Sequence, residues 1–205
     1  MTNQLILAAK RDGLPDDLMM TGFHPASHDS ILSYLNQAGL WLGPRCHLES
    51  DDTFRQIIPY IVLQRGDGVV CYRRAVAGTE QRLHGLLSIG LGGHIDASDI
   101  TLVRGELNLD ATLLGAANRE LSEELQYVNV LARRWVGLLV ENTSPVGRVH
   151  LGVVGVWSIG PEAIESAEEA VRETRLIRLS EMGSLQGEFE TWSSFLLPML
   201  QAGSL

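Results

Sequence analysis

The run Arg119-Glu120-Leu121-Ser122-Glu123-Glu124 places three carboxylates within five residues. On a helix turning about 100° per residue, Glu120, Glu123 and Glu124 share an arc of about 100°. Carboxylates crowded on one edge repel each other, and either solvent or a divalent cation relieves the repulsion. Hard oxygen ligands suit Mg2+ or Mn2+. A solvated helix face is the plainer explanation of such a run, and two features weigh against it. Leu114, Ala117, Leu121 and Leu125 recur at spacings of three and four on the adjacent arc, so this edge faces a packed boundary. Upstream, residues 88–96 read as a strand running into a glycine turn at Gly92-Gly93, where backbone could closely approach a metal or a phosphate.

The elements that would position these groups follow from periodicity. Residues 112–127 carry the apolar stripe of a helix packed on a sheet. Residues 56–63 and 69–73, rich in Ile, Val and Tyr and separated by Arg65-Gly66-Asp67-Gly68, predict a hairpin. Further strands are expected over 86–91, 135–140, 149–157 and 175–179, and helices over 31–42, with Ser30 as N-cap, 161–171 and 189–199, the last interrupted by Pro198. Residues 96–109 read as irregular, and 141–148 as a polar loop at the substrate cleft. Strands mixed with helices, without strict alternation, predict an α/β chain with a mixed β-sheet flanked by helices.

Composition narrows the function. The 16 basic and 25 acidic residues give a net charge of −9, and Lys10 is the sole lysine. A surface of that sign repels nucleic acid, whose binding depends on a surplus of cations, and it accommodates metal cations. Cys46 and Cys71 are too few for a disulfide framework, and their flanks are not metal-ligand spacings, so two reduced thiols in a cytoplasmic protein are expected. No stretch approaches the roughly 18 apolar residues of a membrane span. The 21 glycines, about 10% of the 205 residues against a usual value of about 7%, follow no Gly-X-Y period and mark turns or close approaches.

Together, the carboxylate run and the glycine turn resemble the Nudix hydrolase family, whose box reads G-x5-E-x7-R-E-U-x-E-E-x-G-U with U aliphatic. The R-E-U-x-E-E half is matched in full by residues 119–124. The resemblance extends over 56–200 as hairpin, strand, glycine turn, box helix, two strands and C-terminal helix, and it implies a Nudix-like α/β/α sandwich. Residues 51–205 would form the hydrolase domain and residues 1–50 an N-terminal extension packing on it, either to cover the sheet or to build a homodimer interface. Two box positions depart from the pattern: Ala111 stands where the first Glu belongs and Gln126 where a Gly belongs. About twelve residues are also inserted between the glycine turn and the helix, within which Asp96, Asp99, Glu106 or Asp110 could supply the missing carboxylate, Glu106 and Asp110 ranking first.

The resemblance implies metal-dependent hydrolysis of a diphosphate bond in a small nucleoside-diphosphate-linked or related substrate. Glu120, Glu123, Glu124 and the Gly93 carbonyl would ligate Mg2+ or Mn2+. Glu120 would serve as general base, with Arg119 holding a glutamate of the cluster through a bidentate ion pair. Gly92, His94 and Arg73 are candidate substrate contacts. His150, alternating with Val149 and Leu151, reads as a core or sheet-surface residue, and Glu188 and Glu190 as acids complementing the dipole of the last helix. Two other readings remain: a degenerate Nudix-fold ligand-binding or regulatory module, suggested by Ala111 and Gln126, and an isoprenoid-diphosphate isomerase-like enzyme, which requires an active-site cysteine.

Overall fold

A computed structural model describes residues 4–74, 85–167 and 171–205. In chain order the elements are β1 (Leu5–Lys10), β2 (Gly22–Pro25), α1 (His28–Ala38), β3 (Leu40–Pro44), α2 (Arg45–Leu48), β4 (Phe54–Arg65), β5 (Gly68–Arg74), β6 (Leu87–Ser88), β7 (Gly90–Gly92), β8 (Leu102–Val103), β9 (Glu106–Leu107), α3 (Leu109–Glu124), β10 (Val130–Val140), α4 (Pro145–Arg148), β11 (His150–Ile159), β12 (Val171–Arg178) and α5 (Thr191–Gln201). A ten-stranded mixed sheet flanked by helices gives the expected α/β class; β8 and β9 form a separate two-stranded ribbon.

The chain divides into two compact units. The first comprises residues 1–60, 92–118 and 135–154. In it β1 runs antiparallel to β3, with Leu7 opposite Leu42, and to β4, with Ala8 opposite Gln56. Likewise β2 runs antiparallel to β10, with His24 opposite Leu138. Three of these strands therefore come from residues 1–50. The core of this unit gathers Leu7, Ile31, Leu35, Ile57, Leu113 and Val153.

The second unit comprises residues 61–91, 119–134 and 155–205. Here β5 pairs antiparallel with β12, β6 and the end of β4. The expected hairpin is present, with Gly66 at φ 59°, a left-handed conformation that glycine adopts without a Cβ penalty. Residues 55–63 of β4 are all buried, which explains why that strand reads as an unbroken apolar run rather than an alternating one.

Local chemistry moved several boundaries. Helix α1 begins at His28 because Ser27, not Ser30, is the cap: its hydroxyl accepts from the Ser30 amide at 3.2 Å. The same helix ends at Gly39, φ 79°, and residues 40–42, expected to be helical, belong to β3 instead because its backbone pairs with β1. No helix forms over 161–167; residues 168–170 lie outside the described set, and β12 opens at Val171. The irregular stretch 96–109 contains a 3-10 turn at Ala97–Asp99 and the β8–β9 ribbon, turned by Arg104 (φ 56°) and Gly105 (φ 86°). Helix α5 runs through Pro198 rather than breaking there.

Candidate active site

Helix α3 begins at Leu109, three residues before the sequence-based start, because the Asn108 side chain accepts from the Ala111 amide at 3.0 Å. Ala111, in place of a glutamate, thus sits in the first turn. Leu109, Leu113, Ala116 and Ala117 are buried, and at about 100° per residue Glu120 and Glu124 fall on the same arc of about 100°. Both carboxylates thus fall within the buried arc, which Leu121 of the expected stripe extends on its far side. Accordingly the Glu120 side chain is only 16% exposed, whereas that of Glu123, at the border of the arc, is 50% exposed.

This placement is unfavourable twice over. A half-buried carboxylate loses hydration, and negative charge at a helix C-terminus opposes the macrodipole. No basic residue lies in the last turn of α3 to offset it. The compensation comes from Arg119, whose Nη1 donates to Glu120 Oε1 at 2.7 Å and to Glu123 Oε2 at 3.1 Å. Arg119 therefore does pair with the cluster, but through one nitrogen shared by two glutamates instead of the expected bidentate fork on one. Carboxylate oxygens on one helical edge are the hard donors that Mg2+ and Mn2+ take, so the donor set fits such ions. Among the described residues no three His, Cys, Asp or Glu side chains stand close enough to hold an ion, and in this conformation the Arg119 guanidinium takes up the charge of Glu120 and Glu123.

The other expected site residues take distinct positions. Gly92 ends β7, where a Cβ would collide with the Pro59 carbonyl oxygen of β4, so the close approach that demands glycine is to the chain's own backbone. Gly93 follows it in the first unit. His94 meets Gln56 and His150 rather than standing alone: its Nε2 is 2.8 Å from Gln56 Oε1 and 3.2 Å from His150 Nε2. Arg73 spends its fork on Glu173 at 3.2 Å, Glu188 at 3.3 Å and the Gly85 carbonyl. Glu190 caps α5, accepting from the Trp192 and Ser193 amides at 2.8 Å each. Of the four candidate replacements for the missing glutamate, Asp96 and Asp99 bond reciprocally in a capping box. Asp110 pairs with His28 at 2.8 Å. Glu106 and Asp110 line a cavity of about 470 Å3 together with Leu32, Asn36, Arg104 and Asn108.

A buried polar cluster in the first unit carried no motif. Arg55 is fully buried and donates to the Gly147 and His150 carbonyls at 3.4 and 3.2 Å and to Asn142 Oδ1 at 2.6 Å. Burial pulls its pKa down to about 10, so it stays charged at neutral pH. Glu141, 2% exposed, accepts from the amides and hydroxyls of Thr143 and Ser144, and only glycine at 147 leaves room for it. Burial works to raise its pKa, but those hydrogen bonds outweigh it and hold the carboxyl below the ordinary glutamate range. A depressed carboxylate pKa contributes stability that is present above the unfolded-state value and is lost as pH falls through the folded value. Glu141→Gln is thus expected to destabilise the protein by about 1–3 kcal/mol at neutral pH, with the difference narrowing below about pH 4. Urea denaturation of both proteins across pH checks this; a gap independent of pH would refute it.

Comparison with known proteins agrees with this architecture. No family profile matches the sequence. Protein YmaB of Bacillus subtilis (strain 168) is 31% identical over 208 residues, covering 97% of this chain and 98% of that protein. The crystal structure of Tm1382, provisionally described as a Nudix hydrolase, superposes with a TM-score of 0.77 at 29% identity over 97% of this chain and 98% of the other. A Nudix hydrolase from Nitrosomonas europaea shares the fold at a TM-score of 0.51 and 15% identity, covering 73% of this chain and 90% of its own.

Proposed function

Because the chain belongs to the Nudix hydrolase family, we propose that it hydrolyses the diphosphate bond of a small nucleoside-diphosphate-linked or related substrate with the help of Mg2+ or Mn2+. One observation carries the reading: two carboxylates occupy the buried phase of α3 at its unfavourable C-terminal end, and Arg119 holds one of them and Glu123. Protein interiors rarely keep such an arrangement without a use for it.

In this proposal Glu120, Glu123 and Glu124 would hold the ions. When bound, the ions neutralise phosphoryl charge and lower the pKa of the attacking water. Glu120 would accept the proton of the attacking water at its carboxylate, and its half-burial keeps competing solvent away. Arg119 is a positioning residue, fixing Glu120 and Glu123 relative to each other through a single nitrogen. A homodimeric, cytoplasmic enzyme acting on a small molecule rather than a nucleic acid completes the proposal and accords with the net charge of −9. No helix among the described residues is long and apolar enough to cross a membrane.

The isomerase reading finds no support in Cys71. Cys71 is buried in β5, and burial pushes its pKa up to about 11, which keeps it protonated and unreactive. The test against a degenerate binding module is an assay of phosphate release from nucleotide sugars, dinucleoside polyphosphates, NADH, ADP-ribose and nucleoside triphosphates with Mg2+ or Mn2+. Wild type should turn over at least one class and Glu123→Gln should lose that turnover. Ligand binding without turnover by the wild type across the panel would overturn the proposal.

A further inference from the structure

His94 and His150, which read from the sequence as separate and minor residues, meet with their Nε2 atoms 3.2 Å apart. Two imidazole nitrogens bound at about 2.0–2.1 Å to one tetrahedral ion are separated by about 3.3–3.4 Å, so the pair already stands at the bite distance of a shared metal. The rings are tilted by 54° with centroids 5.3 Å apart, an arrangement that brings edges together rather than stacking faces.

The surroundings orient both groups toward that point. His150 Nδ1 lies 2.7 Å from the Val146 carbonyl oxygen. A carbonyl only accepts, so Nδ1 carries the proton and the neutral ring presents its Nε2 lone pair to His94. A backbone carbonyl behind a histidine is the usual outer partner of a metal-bound imidazole. Gln56, fully buried, donates from its amide nitrogen to the Leu48 carbonyl at 3.3 Å, and this turns Oε1 toward His94 Nε2 at 2.8 Å. Three donor atoms therefore converge from β4, the segment after β7 and the start of β11. Both histidines are half-buried, which leaves a solvent path for entry and for a completing water.

We propose that His94, His150 and Gln56 form a site for one transition-metal ion of the Zn2+ or Ni2+ class. Its ligands include no residue of the glutamate helix, and its two imidazoles select against Mg2+, which prefers oxygen. Ion binding replaces the proton that His94 Nε2 shares with Gln56 and His150; that proton moves to His94 Nδ1, so the ring stays neutral and charge balances. The ion ties β4 to the start of β11 within the first unit.

Calorimetric titration of the full-length protein with Zn2+, in excess Mg2+ to occupy the carboxylates, should show one ion bound per chain and a raised melting temperature. His94→Asn and His150→Asn should each weaken that binding by on the order of 100-fold. Imidazole NMR of the wild type keeps the idea testable if a variant fails to fold: Zn2+ should shift the Nε2 resonances of His94 and His150 and leave the other four histidines in place. The Co2+-loaded protein should show a visible absorption band that both variants lack. Absence of binding by the wild type, equal binding by the variants, or shifts confined to other histidines would overturn the proposal and leave a hydrogen-bonded histidine pair.

Discussion

Glu120→Gln is expected to lower kcat by about 10²–10⁴-fold on whichever diphosphate the wild type turns over, with the fold intact. The side chain is isosteric, and its amide oxygen can still accept from Arg119 Nη1, so the helix should keep its geometry. The variant removes a negative charge from the C-terminal end of α3, where the dipole disfavours it and where Glu123 and Glu124 repel it. Stability should therefore stay level or rise by up to about 1 kcal/mol while activity collapses. Opposite signs in the two measurements identify a residue kept for chemistry; a purely structural glutamate would lose stability and leave kcat unchanged. Steady-state kinetics beside urea denaturation of the same preparation reads both, and an unchanged kcat would remove Glu120 from the reaction.

Gly92→Ala should have the largest effect on folding. A Cβ there would meet the Pro59 carbonyl oxygen, with the Pro59 carbonyl carbon and Tyr60 Cα next at 3.1 and 3.2 Å. These are backbone atoms of a strand buried on both faces, so nothing flexible can move aside. The expected loss is about 3 kcal/mol or more, a large part of an ordinary domain's stability. Gly66→Ala is the control: its φ of 59° is strained for alanine, but nothing lies within 4 Å, and a loss of about 1–2 kcal/mol is expected. Near-equal midpoints for Gly92→Ala and wild type would mean that β4 and β7 do not approach as described, and would return Gly92 to a ligand-binding role.

Much of the fold was legible because its signals are local. The β4–β5 hairpin follows from an apolar run, a four-residue turn with two glycines and a second run, and the structure pairs Gln64 with Val69 as that pattern requires. The existence and type of the box helix were equally plain. Its phase was not. Leu114, Leu121 and Leu125 suggest a stripe beside the glutamates, whereas the buried set also includes Leu109, Leu113 and Ala116, which brings Glu120 and Glu124 onto the covered arc. Leu109 joins the set because the Asn108 cap starts the helix one turn earlier, whereas Leu113 and Ala116 lie inside the expected range and only their burial reveals that they face the core.

Residues 40–44 show the opposite failure. Residues 40–42 extend the apolar helical pattern, yet Gly39 turns the chain and β1 supplies the backbone partners that make 40–44 a strand. Propensity within a window cannot anticipate a partner more than thirty residues away. Arg55 and Glu141 had no motif, because a buried charge is recognised by its hydrogen-bond partners, and those are tertiary.

The amino-acid sequence by itself determined the family likeness, the α/β class and the three glutamates with their arginine, because spacing on one helix fixes which side chains share an edge whatever surrounds it. Only the tertiary structure decided that Arg119 bridges two of those glutamates, that Gly92 is required by Pro59, and that His94 stands 3.2 Å from His150. Each of these depends on a position of one atom relative to another: a side-chain rotamer in the first case, a strand approach in the second, and in the third the meeting of residues 56 positions apart along the chain.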